Sequence, residues 1–189
     1  MPPADPDLSA ETRRLLAEVA AHLQRDHREA LRGICATVET RKVKHGRFGP
    51  AGSVEQAEHR MAEAESETDD LLVAIQSDAY HRSELPPEAA GQTRVSAVRR
   101  TPAEAGGVPG FVLTLQQDPP RLLRADAVAS PFPGIARLAM APLAMSMAFE
   151  YVGGVPVVSE MRMRVRSRGL GRFRFDYEAV SSAAYRPCA

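Results

Sequence analysis

The chain has no tryptophan, two cysteines and, among its 24 basic residues, only two lysines, Lys42 and Lys44. No apolar run approaches the ~20 residues that a bilayer-spanning helix needs. The opening Met-Pro-Pro-Ala-Asp-Pro-Asp lacks a basic region followed by an apolar stretch, so no signal peptide is visible. The expectation is a cytosolic protein, or one whose signal was removed and replaced by an initiator Met. The formal net charge is zero, which gives global electrostatics no case for nucleic acid or an anionic membrane.

Catalytic and metal signatures are missing too. Cys35 and Cys188 stand far apart, in no CxxC or Cys/His spacing. Two readings stay open: unrelated thiols, or a disulfide tying the first strand to the C-terminus in an oxidising compartment. The five histidines, His22, His27, His45, His59 and His81, form no two-His zinc motif. Serine-nucleophile, Walker and GxGxxG motifs are absent. No cofactor, metal or catalytic residue is implied, and the expectation is a protein that is not an enzyme.

What is present is folded-protein texture at a length of 189 residues, enough for one domain with a substantial core. Residues 1–8 are expected to be a mobile N-terminus and 9–187 a single domain. Ser9 can cap a helix running to about Leu31, with Leu15, Leu16, Val19, Leu23 and Leu31 as its apolar stripe and Gly33 as its stop. Residues 34–43 read as a strand, and 45–50 as a turn or loop. Residues 53–77 are open between a helix, favoured by Glu/Ala content, and two strands. Strands are expected at 94–99, 111–115, 144–151, 157–165 and from Arg172 to about Val180. Ser83 to Gly91 reads as a polar connection, and 118–143 as short extended pieces with a surface loop. The tetrapeptide Gly-Gly-Val-Pro occurs at 106–109 and again at 153–156 as turn material, the first within Gly106-Gly-Val-Pro-Gly110.

The segment 160–177 is the most telling. Met161, Met163 and Val165 fall on one face of a strand, with Arg162, Arg164, Arg166 and Arg168 on the other. After Gly169-Leu-Gly171, Phe173, Phe175 and Tyr177 share the first face. Arg172, Arg174 and Asp176 take the second. This predicts an antiparallel hairpin with one greasy and one arginine face, the arginines offset by nearby acids. Met145, Met147, Phe149 and Tyr151 alternate onto one face of a neighbouring strand. Five of the seven methionines lie between Met140 and Met163. Flexible, polarizable methionine suits either a core beneath the helix or an adaptable pocket for an acyl chain.

The texture Leu113-Thr-Leu, Asp118-Pro-Pro, Phe149-Glu-Tyr-Val-Gly-Gly-Val-Pro-Val-Val, Met161-Arg-Met-Arg-Val, Phe173-Arg-Phe-Asp-Tyr and Tyr185-Arg, over roughly residues 90–187, resembles LolA-like outer-membrane lipoprotein carriers. The resemblance implies an α+β fold: a curved antiparallel sheet, an incomplete β-barrel, covered on its concave face by the N-terminal amphipathic helix. It implies non-enzymatic binding or transport of a lipid or lipoprotein acyl chain, a periplasmic location, and an envelope protein partner, with no nucleic acid. The expected lipid-binding residues are Met145, Met147, Phe149, Met161, Met163, Val165, Phe173 and Phe175, with Leu16 and Leu23 from the helix. The alternative is a cytosolic interaction or structural domain with a filled core. A third is a small enzyme on a cystatin-like or nuclear-transport-factor-like sheet.

Overall fold

A computed structural model describes residues 5–24, 29–46, 49–60, 69–101, 108–128, 141–167 and 176–188. Its elements in chain order are α1 (Ala10–Leu23), β1 (Ile34–Gly46), β2 (Gly49–Arg60), α2 (Asp69–Gln76), β3 (Tyr80–Leu85), β4 (Gln92–Arg99), β5 (Gly110–Gln116), β6 (Arg121–Ala127), β7 (Ala144–Val152), β8 (Val155–Arg166) and β9 (Asp176–Pro187). The strands form one antiparallel nine-stranded sheet in the order β2-β1-β9-β8-β7-β6-β5-β4-β3. The sheet is curved and does not close, so β2 and β3 are its edges. This is the expected α+β architecture, with a second helix, α2, inside the stretch that the sequence left open between helix and strands.

One face of the β3–β7 half carries the core. Val95, Ala97, Phe111, Leu113, Leu115, Leu122, Ala125, Met147 and Phe149 pack with Leu15, Leu16, Val19, Ala20 and Leu23 of α1 and Leu71, Ala74 and Ile75 of α2. Each large side chain removed from water here contributes about 1.5–3 kcal/mol before entropy is charged against it. A second, smaller cluster joins Leu31 to Val155 and Val157, with Val152 and Tyr185 against it.

Ser9 caps α1 as its sequence position predicts: its Oγ accepts a hydrogen bond from the Thr12 amide at 3.1 Å. The helix stops at Leu23, however, well short of Leu31. Residues 29–33 form turns instead, with the Arg32 amide donating to the Glu29 carbonyl and the Ile34 amide to the Leu31 carbonyl. Leu31 is buried against β8, off the helical stripe it was assigned to. Gly33, at φ +78°, leads the chain into β1 rather than ending α1.

The 53–77 stretch is neither one helix nor two strands: β2 covers 49–60 and α2 covers 69–76. β2 pairs with β1 from Gly46↔Gly49 to Cys35↔Arg60, and that continuous ladder overrides the helical propensity of its Glu- and Ala-containing sequence. Its described side chains are exposed on both faces, so no alternation of polarity was needed to place it. In α2, Leu71, Ala74 and Ile75 lie at i, i+3 and i+4 and are buried together.

Two further strands differ from expectation. The connection read at 83–91 begins inside β3, and the final strand continues past Val180 to Pro187. The Gly153-Gly154 turn between β7 and β8 forms as anticipated, both glycines at positive φ and Val152 opposite Val155. Residues 5–8, assigned to a mobile N-terminus, are docked: Asp5 is 0% exposed and Leu8 is part of the core.

Candidate functional site

Register brings the methionines together as cross-strand pairs. Met147 lies opposite Met161, and Met145 opposite Met163. Beyond β8 the same face continues through directly opposed residues. Met161 faces Ser181, which faces Thr40; Met163 faces Ala179, which faces Lys42; Val165 faces Tyr177, which faces Lys44. The Thr40 and Ser181 hydroxyls meet at 3.0 Å.

The expected lipid-binding residues fall into two zones of this one face. Leu16, Leu23, Met147 and Phe149 belong to the packed core, Met147 at 5% and Phe149 at 7% exposure, and Met161 packs against them half-buried. Met145, Met163 and Val165 are only half-buried. Phe173 and Phe175 lie outside the described residues, as do Met140, Arg168, Arg172 and Arg174 and the Gly169–Gly171 turn. α1 reaches across the sheet as far as β8. On the strands past it, β9, β1 and β2, the buried side chains among the described residues are Cys35 and Ala36.

The opposite face carries the arginines, as the alternation predicts. Arg162 pairs with Glu160 at 2.6 Å. Arg164 makes two hydrogen bonds to Asp176, at 3.1 and 2.6 Å, and Arg166 approaches the same carboxylate at 3.4 Å. These carboxylate hydrogen bonds raise the pKa of Arg162 and of Arg164, and the bond to Arg162 lowers that of Glu160. On the Met face, Lys42 chelates both carboxylate oxygens of Glu55 at 2.9 and 2.8 Å, a bond that raises the Lys42 pKa.

Three features escaped the sequence reading. Asp5 is held by Arg82 at 2.8 Å and Arg100 at 3.0 Å, with His81 at 3.7 Å. Arg82 also donates to the Ala74 and Ser77 carbonyls, closing the C-terminal end of α2. Tyr151 accepts a hydrogen bond from the Leu122 amide at 2.8 Å, beneath the Arg121 guanidinium at 4.8 Å from its ring. Burial raises its pKa. Contacts across tens of residues between single side chains leave no periodic trace in a sequence. Cys35 and Cys188, whose pairing the sequence left open, form a disulfide with their Cα atoms 5.0 Å apart.

Among the described residues no group of three His, Cys, Asp or Glu is placed to hold a metal ion. No described helix is long and apolar enough to cross a membrane.

Fold and site together define an open, curved antiparallel sheet whose helix-bearing face is packed at one end and half-open at the other. No protein-family model matches the chain, and no curated protein matches it. Among solved structures, a crystal structure described as a putative outer membrane lipoprotein-sorting protein domain from Vibrio parahaemolyticus superposes with a TM-score of 0.40 at 11% identity, covering 91% of this chain and 93% of that one. The likeness is a weak one, at the level of the fold.

Proposed function

We propose that the protein binds the acyl chain of a lipid or lipoprotein, without catalysis, on the half-open end of the sheet's helix-bearing face. One observation supports this most: the apolar face does not stop where the helices stop. It runs from buried Met147 through half-buried Met161 to the Met145–Met163 pair and Val165. Methionines at such a border offer an apolar surface that adapts to a flexible chain. Each methylene taken from water contributes about 0.8 kcal/mol before the costs of association. The Cys35–Cys188 disulfide favours an oxidising, extracytoplasmic compartment, and we place the protein in a bacterial periplasm with an envelope protein as its partner.

A second reading, an interaction or structural domain with a filled core, is favoured by the burial of Leu16, Leu23, Met147 and Phe149 in one cluster. Titration with a fluorescent fatty acid separates the two. Saturable binding that is lost in Met163→Arg and kept in Arg162→Gln, on the opposite face, supports the acyl site. Absence of saturable binding, or equal loss from both variants, favours the filled-core domain. Met147→Arg is unsuitable as a probe, because a charge at that buried position would unfold the protein.

A further inference from the structure

β2 is an edge of the sheet, 12 residues long, and every residue from 51 to 60 is exposed. Sheet edges are ordinarily blunted by shortness, a bulge, proline, lysine or a covering segment. The β3 edge has two of these: it is 6 residues long, and the segment carrying Asp5 and Ser9 is fastened to Arg82 and Glu84. β2 has no lysine and no bulge against β1, with which its register is unbroken, and its proline, Pro50, stands near its start. Pro50 also fixes which backbone groups face outward. Having no N–H, it cannot form a hydrogen-bonded pair with His45, so the rows hydrogen-bonded to β1 are the odd-numbered ones of β2. The N–H and C=O groups of Gly52, Val54, Gln56 and Glu58 therefore point away from β1.

We propose that β2 pairs edge to edge with β2 of a second copy, antiparallel about a two-fold axis at Ala57, so that two sheets run on as one. The proposal goes beyond the acyl-binding reading and does not depend on it. Outward backbone groups meet outward ones only when the axis passes through a whole residue, and charge selects which residue. An axis at Glu55 or at Glu58 sets two like carboxylates face to face. An axis at Gln56 leaves Glu55 opposite Ala57 and His59 opposite Ser53. The axis at Ala57 sets Glu55 opposite His59 of the second copy and Gln56 opposite Glu58 of the second copy, each twice by symmetry, with only methyl groups at the centre. Lys42 binds Glu55 and Arg186 binds Glu58, so both carboxylates enter the interface partly neutralised, with lone pairs left to accept from His59 and Gln56. Val54, at 57% exposure the most exposed large apolar side chain among the described residues, lies inside the paired stretch. A head-to-tail contact of β2 with β3 of another copy would meet the fastened segment instead.

The test is sedimentation equilibrium of the full, disulfide-bonded chain from about 1 μM to about 1 mM, the range that a small interface calls for. The parent should pass from monomer to dimer within it. Gln56→Pro removes an N–H that points outward and none that bonds β1, so it should abolish the dimer and leave the unfolding midpoint near the parent's. His59→Glu, which sets carboxylates opposite each other at two symmetric places, should weaken the dimer about fivefold, and His59→Lys should tighten it. Ala57→Cys should cross-link into a covalent dimer under mild oxidation, because the two positions face each other across the axis, whereas Ala51→Cys should not. A parent that stays monomeric throughout overturns the proposal and leaves the edge to a strand of another protein. A dimer that survives Gln56→Pro overturns it as well. A dimer lost in Gln56→Pro but indifferent to the charge at position 59, with no cross-link from Ala57→Cys, overturns the axis at Ala57.

Discussion

Arg82 holds Asp5 at 2.8 Å with both side chains closed off from water, at 2% and 0% exposure. The pair spans 77 positions of sequence and fastens the N-terminal segment to β3 and to the end of α2. Losing one member of a buried pair strands the other, which costs about 3–5 kcal/mol. Asp5→Ala is therefore expected to lower stability by about that amount. Urea unfolding measures it. A change under about 1 kcal/mol means that the segment is not docked in solution.

The Glu84 carboxyl accepts a hydrogen bond from the Ser9 amide at 2.7 Å, and the polar groups of Ser9, its side chain foremost, and of Thr12 lower its pKa. A depressed carboxylate pKa contributes stability that is full above its ordinary value and drains away as pH falls through the depressed one. Glu84→Gln should thus flatten the loss of stability on acidification. Unfolding midpoints compared from neutral pH to about pH 3 show it, and parallel curves for parent and variant count against the contact. Ser9→Ala, which also removes the α1 cap, is expected to cost about 1 kcal/mol.

The disulfide closes a separation of 153 residues. Chain-entropy reasoning assigns such a loop about 5 kcal/mol. Reduction, or Cys188→Ser, is expected to lower the urea midpoint substantially. Thiol titration of the denatured, unreduced protein should find no free thiol. Two reactive thiols would show that the cysteines are not joined.

Truncating the methionines should mark where the core ends. Met147→Ala leaves a cavity in a packed cluster and is expected to cost about 2–4 kcal/mol. Met163→Ala, at a half-buried position, is expected to cost less than about 1 kcal/mol. Equal costs at the two sites would mean that the Met face is covered beyond β8, and would remove the main support for ligand binding there.

The alternation of 160–166 made β8 and its two faces legible, because a sheet with one apolar side must repeat with period two. The Met145–Met163 and Met147–Met161 pairs follow from that pattern once β7 and β8 are joined by the Gly153-Gly154 turn. How deeply each methionine is buried was not legible, since it depends on where α1 crosses the sheet. β2 was hidden for a different reason. An edge strand exposed on both sides needs no polarity pattern, and local composition then points toward a helix. Leu31 misled in the opposite way: it keeps helical spacing with Leu23, yet its partners are Val155 and Val157.

β1 has two neighbours in the sheet, β2 and β9. During synthesis from the N-terminus, β1 and β2 therefore emerge as a two-stranded hairpin, marginal in water, long before residues 176–187 exist. Only with β9 in place can the hairpin join the rest of the sheet, and only then can Cys188 meet Cys35. Maturation of this protein is thus set to finish late, at a seam where its earliest-made and latest-made strands lie side by side.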